Sequence, residues 1–164
     1  MLKLGLYGSP MWLGLLAVSS FAAEPSIPDS VEWKTGIEYS NPDNTHLQLN
    51  LAQPRKGDGP FPTVLCIHGG GFRAGKRESY DALCIKLAAR GYVAATITYR
   101  LAPQHKFPAA VHDTKAAVRW LRANAKTYKI NPDKLHPIGR MGGPVYTRTT
   151  DRFELIRPNT GENK

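Results

Sequence analysis

Apolar positions along the chain fall into short blocks separated by Gly, Pro and Asn turns. Val31 to Tyr39 alternates loosely and predicts a first strand. His46-Leu47-Gln48-Leu49-Asn50-Leu51 alternates strictly and predicts a half-buried strand with Leu47, Leu49 and Leu51 inward. Asn41-Pro42-Asp43-Asn44 between them is turn chemistry, so the two should form an antiparallel edge pair. Thr63-Val64-Leu65-Cys66-Ile67 is short and β-branched, as expected of a buried central strand. Tyr80, Leu83, Cys84, Leu87 and Ala88 recur on one face of a helix of roughly three turns. Gly91 is placed to end that helix in the left-handed conformation. Val93 to Thr98 predicts a second buried strand, and strand–helix–strand implies a right-handed crossover between parallel neighbours. Pro108 suits the first turn of another helix, with Val111, Val118, Leu121 and Ala125 in one stripe and Ala117 and Trp120 beside it. Asn131-Pro132-Asp133 reads as a turn, and Lys134 to Gly139 as the opening of the next parallel strand. From Arg140 onward the apolar periodicity stops, and the tail to Lys164 is expected to be unstructured.

The N-terminus reads as an export signal. Lys3 precedes the apolar Met11 to Val18, which is too short to span a bilayer. Ser20-Phe21-Ala22 then supplies small residues for cleavage after Ala22. Glu24 to Ser30 carries Pro25 and Pro28 and reads as a linker. The chain therefore divides into a signal peptide (1–22), one partial domain (23–143) and a divergent tail (144–164). Charge adds little: Lys plus Arg is 22, Asp plus Glu 13, net +9, but no block of basic residues occurs. A solvated surface is expected rather than a nucleic-acid partner. Cys66 and Cys84 form neither a zinc spacing nor a C-x-x-C pair, and read as buried thiols, with a disulfide open to an exported protein.

The central strand ends abruptly in His68-Gly69-Gly70-Gly71-Phe72. The glycines clear side chains from the strand exit, so backbone N–H groups can meet the oxygen that becomes negative when an ester carbonyl is attacked. With Tyr99-Arg100-Leu101-Ala102-Pro103 and Phe107-Pro108-Ala109-Ala110-Val111-His112-Asp113, this run resembles the hormone-sensitive-lipase-like and feruloyl-esterase-like carboxylesterases of the α/β-hydrolase superfamily. The resemblance implies an α/β fold: the N-terminal half of an α/β-hydrolase sheet, with an antiparallel edge pair, parallel strands and crossover helices, then a disordered C-terminal tail. It implies Gly70 and Gly71 as oxyanion donors, with His68, Gly69 and Phe72 as the supporting loop. Arg100 and Asp113, each in a family motif, are expected to pair.

The resemblance fails at the nucleophile. The elbow G-x-S-x-G needs Ser on a strained strand-to-helix turn. The matching stretch is Gly139-Arg140-Met141-Gly142-Gly143-Pro144-Val145-Tyr146, with Pro144 where the serine belongs. Proline holds φ near −65°, which also opposes the turn. In this fold the histidine of the triad follows the serine. His46, His68, His105, His112 and His136 all precede Pro144. No catalytic nucleophile, acid or base is recognisable, which points to a truncated hydrolase whose later residues are unrelated. The alternative is a non-catalytic ester- or carbohydrate-binding module. Gly70 to Gly75-Lys76 also approximates a phosphate loop, but Arg77 stands where Ser or Thr should bind Mg²⁺. The chemistry expected of the parent needs no metal or organic cofactor. Its partner would be a small-molecule or carbohydrate-linked ester, met in the periplasm or outside the cell.

Overall fold

The computed structural model describes residues 26–139, together with the short strands Tyr146–Thr147 and Glu154–Leu155. Five strands form one sheet: β1 (Val31–Ser40), β2 (Leu47–Pro54), β3 (Phe61–Ile67), β4 (Val93–Ile97) and β5 (Ile130–Gly139), in the order β1-β2-β4-β3-β5. β2 pairs antiparallel with β1 and β4, while β3 is parallel to both β4 and β5. Helix α1 (Asp81–Ala88) joins β3 to β4, and α2 (Ala109–Ala123) joins β4 to β5. The terminal pair β6 (Tyr146–Thr147) and β7 (Glu154–Leu155) is antiparallel and separate from this sheet. The signal segment, Pro144 and the rest of the tail lie outside the described residues.

The strand period of two sorts the core onto two faces. Leu49, Leu51, Leu65, Ile67, Ala95 and Ile97 pack with Ala117, Val118 and Leu121 of α2. Ala52, Cys66 and Ala94 on the other face pack with Cys84 and Ala88 of α1. Each large aliphatic side chain buried this way stabilises the fold by about 1.5–3 kcal/mol, so the α2 face carries most of the apolar burial.

β4 and β5 flank β3 on opposite sides, so the chain reverses direction across the sheet at β3. Right-handed crossovers in both directions put α1 and α2 on opposite faces. The carboxyl end of β3 is thereby the switch point of an open α/β sheet, where such folds form their binding crevices.

Several expectations are corrected in detail. β2 is buried on both faces: Asn50 is 2% exposed and Ala52 0%, because α1 covers the face read as open to water. α1 keeps most of the expected stripe inward: Cys84 and Ala88 are buried, with Tyr80 and Leu87 packed against the same cluster, but Ile85 is buried and Leu83 is exposed. Asn50 Nδ2 donates to the Asp81 carboxylate at 3.0 Å, which holds the Asp81–Ile85 edge of the helix to the sheet. Only eight residues are α-helical; a 3₁₀ turn at Arg77–Tyr80 supplies the rest of the predicted length. α2 buries Ala110, Asp113 and Thr114 in place of Val111. Asn131-Pro132-Asp133 is an irregularity inside β5 rather than a turn before it, with the Asp133 N–H donating to Asn131 Oδ1 at 3.0 Å. Gly91 does close α1 with φ +89°.

Candidate active site

The glycine loop leaves β3 at the switch point, and its first residue is pinned from below. His68 is 2% exposed and stacks on Tyr99, with ring centroids 4.2 Å apart and planes 15° apart. The Tyr99 hydroxyl donates to the His68 carbonyl at 2.8 Å. Burial raises the Tyr99 phenol to about 12, which keeps it a proton donor at neutral pH. The His68 ring bonds the Gly69 carbonyl through Nδ1 at 3.0 Å. A carbonyl only accepts, so the proton sits on Nδ1. Burial also holds the imidazole below its usual 6.5, so the ring is neutral in the fold.

Beyond Gly69 the chain takes three consecutive residues through positive φ: Gly70 (+124°), Gly71 (+61°) and Phe72 (+64°). Two of these positions suit glycine; Phe72 is a bulky residue in a region where such residues are outliers. Its carbonyl is held by the Ala102 N–H at 2.8 Å. The Gly70 carbonyl accepts from the N–H groups of Arg73 at 3.0 Å and Ala74 at 3.1 Å, closing a tight turn. That turn is too close for a side chain: a Cβ on Gly70 would collide with the Ala74 carbonyl, and one on Gly75 with the Gly69 carbonyl and the His68 ring. Gly71 faces open space. Among the described residues, the N–H groups of Gly70 and Gly71 donate to no protein acceptor, and both residues are exposed. Two adjacent donors with no acceptor among the described residues, at the end of a central strand, are an arrangement that suits an anion.

The neighbouring walls come from the second and third motifs. Tyr99 to Pro103 continues β4 and is tied to α2 by Arg100. Its guanidinium forks onto Asp113, with Nη2 at 2.9 Å from Oδ1 and Nε at 3.0 Å from Oδ2, and its N–H donates to Oδ2 at 2.9 Å. The Arg100 and Asp113 side chains are 10% and 3% exposed, so the expected pair exists and is buried. Asp113 also holds the guanidinium above its usual range. Nη1 reaches Asp43 at 2.7 Å, joining the β1–β2 connection to the same loop. Beside Phe72 lies a cavity of about 240 Å³, lined chiefly by Ala102, Phe107, Ala110 and Val111. His112 is on the exposed side of α2, and Cys66 and Cys84 are buried free thiols.

β5 brings the chain up alongside the loop. Gly139 pairs with Ile67, the residue before His68, and a Cβ there would stand 2.7 Å from the Ile67 carbonyl. The stretch that should carry a nucleophile therefore departs next to the glycine loop; its position 144 lies outside the described residues. Among the described residues no cluster of His, Cys, Asp and Glu could hold a metal ion. The sequence reading missed Asn50, Thr96 and Thr98, which join Arg77 in a polar cluster under the far end of the loop. The signal was faint: a polar position on a strand reads as solvent-facing until a helix is known to cover it.

Comparison with known proteins agrees with this geometry. Residues 49–145 match the BD-FAE family model. The chain is similar to an ethyl acetate hydrolase of Pseudomonas putida, 32% identical over 140 residues, covering 83% of this chain and 43% of the relative. It is also similar to a versiconal hemiacetal acetate esterase of Dothistroma septosporum, 28% identical over 144 residues, covering 84% of this chain and 42% of the relative. Among solved structures, a bacterial heroin esterase superposes with TM-score 0.58 at 33% identity, covering 68% of this chain and 35% of that one. The esterase Est2 of Thermogutta terrifontis superposes with TM-score 0.60 at 28% identity, covering 71% and 41%. The chain thus spans less than half the length of these relatives. Its matched segment, its sheet order and its strand-end loop together establish that it belongs to the BD-FAE family, among the carboxylesterases of the α/β-hydrolase superfamily.

Proposed function

We propose that this protein contributes the oxyanion-binding half of a serine carboxylesterase. The observation that carries the reading is the pair of exposed, unpaired N–H groups of Gly70 and Gly71 at the carboxyl end of β3. A serine alkoxide attacking an ester carbonyl moves negative charge onto the carbonyl oxygen. Donors fixed in advance stabilise that oxygen with no reorganisation, and loss of one such donor lowers kcat by about 10²–10³. His68, Gly69 and Phe72 hold the loop, and His68, buried and neutral, takes no part in proton transfer. The reaction forms and then hydrolyses an acyl-enzyme, which needs neither metal nor organic cofactor.

The names of two relatives specify acetate esters. They support a substrate with a small acyl group on a small-molecule or carbohydrate alcohol. Residues 1–22 act as an export signal in this reading; mass spectrometry of exported protein would show Ala23 as the first residue, and a retained Met1 would oppose it.

Residues 1–164 by themselves are catalytically incomplete in this reading. Pro144 replaces the nucleophile, and no histidine follows it. The same proline favours a second reading, a binding module that holds an ester or carbohydrate without turnover. Incubation of the chain with p-nitrophenyl acetate and, separately, with a serine-directed phosphonate tests the point. The expected result is no hydrolysis above buffer and no covalent adduct. Turnover blocked by the phosphonate would reveal an unrecognised nucleophile, and tight saturable binding without turnover would favour the module.

A further inference from the structure

The oxyanion loop has two ends. The first is held through His68 and Tyr99. The second runs through Gly75 and Lys76 into the 3₁₀ turn at Arg77, on the face of the sheet covered by α1. That face carries three polar side chains at consecutive even positions of neighbouring strands: Asn50 on β2, Thr96 on β4 and Thr98 just beyond it. Arg77 meets all of them. Its Nε donates to Asn50 Oδ1 at 3.0 Å, its Nη1 to Thr98 Oγ1 at 2.9 Å, and its carbonyl accepts from Thr96 Oγ1 at 2.9 Å. Asn50 is fixed in turn, since Oδ1 also accepts from the Gly36 N–H at 3.0 Å and Nδ2 donates to Asp81 at 3.0 Å. Asn50 and Thr96 are 2% and 0% exposed, so this cluster is interior and satisfied. Glu78 lies 3.4 Å from Arg77 Nε on the outer side.

We infer that Arg77 is a positioning residue for the oxyanion loop, clamping its far end to β2 and β4 so that Gly70 and Gly71 keep their N–H groups turned outward. The inference rests on the proposed role of those two glycines. Both the side chain and the main chain of Arg77 are anchored, so the residue cannot rotate about either without breaking a bond to the sheet. The turn between the anchors holds four residues of positive φ, and apart from Phe72 it gains little from its own packing, because Gly70, Gly71, Arg73, Ala74 and Gly75 are exposed. Its shape therefore depends on where its ends are fixed. Lysine could not replace the arginine, since a single ammonium cannot reach two acceptors in the fixed geometry of a guanidinium.

Amide hydrogen exchange on the whole chain tests this. The Arg73 and Ala74 N–H groups bond Gly70, and the Ala102 N–H bonds Phe72, so their exchange reports the shape of the loop. Amides of β3 and β4 report the whole fold. Arg77→Met should speed exchange at Arg73, Ala74 and Ala102 by about tenfold or more beyond any change in β3 and β4, and Arg77→Lys should not restore protection. Thr98→Val, which removes one acceptor and leaves the core intact, should give a smaller change at the same three amides. Exchange that rises equally in the loop and the strands, or that stays unchanged in the loop of both Arg77→Met and Thr98→Val, would overturn the inference. The readout contains no ester, so its outcome is separate from that of the hydrolysis assay.

Discussion

Gly70 and Gly71 sit side by side but are glycine for different reasons. Gly70 has no room for a methyl group, because the Ala74 carbonyl occupies the space; Gly71 has room but a left-handed backbone. Gly71→Ala should therefore lower stability by about 1 kcal/mol, the ordinary penalty for a side chain at positive φ. Gly70→Ala must move backbone and should cost more than about 2 kcal/mol, or reshape the turn outright. Denaturant unfolding of both variants checks the order, and equal losses would show that the turn is not packed as described. The glycines could be picked out in the sequence because three in a row after a β-branched run is an unusual pattern. The difference between them could not, since it depends on where the Ala74 carbonyl comes to rest.

At the scale of elements, the loops are held by ion pairs and hydrogen bonds more than by apolar contact. Arg100 joins the segment after β4 to α2 through Asp113 and to the β1–β2 connection through Asp43. Removing Asp113 leaves a nearly buried guanidinium with only an exposed partner, so Asp113→Ala should destabilise by about 3 kcal/mol. A double-mutant cycle with Arg100→Ala should show coupling of about 1 kcal/mol or more, measured by chemical denaturation. Additive effects would mean that the pair is incidental. The pairing could be anticipated from the two motifs, but its third member could not. Asp43 is 57 residues away in sequence, in a turn whose positive φ aims it at Arg100 only once β1 and β2 have folded. The inward stripe of α1 was largely legible, but the burial of Ile85 in place of Leu83 was not: it goes with the Asn50–Asp81 bond, a contact between distant segments.

For the whole molecule, strand alternation and turn residues specified most of the sheet. β1 to β4 fall close to the segments marked by apolar blocks, and the crossover rule placed β3 beside β4. The reversal at β3 depends on β5 returning to its far side, a tertiary fact that no local pattern encodes. That reversal brings Gly139 beside Ile67, and so sets the start of the elbow stretch next to the glycine loop. In the proposed reading that loop is the oxyanion site and β5 leads toward the elbow, where Pro144 stands in place of a serine. The most direct measurement is hydrolysis of p-nitrophenyl acetate by residues 1–143 joined to the downstream half of a related esterase beginning at its elbow Ser-Ala-Gly-Gly. The joined protein should melt cooperatively and turn over the ester, and Gly70→Ala should lower its kcat by about 10²–10³. A folded joined protein with no turnover, or with turnover indifferent to Gly70→Ala, would contradict the assignment of this loop as the oxyanion site.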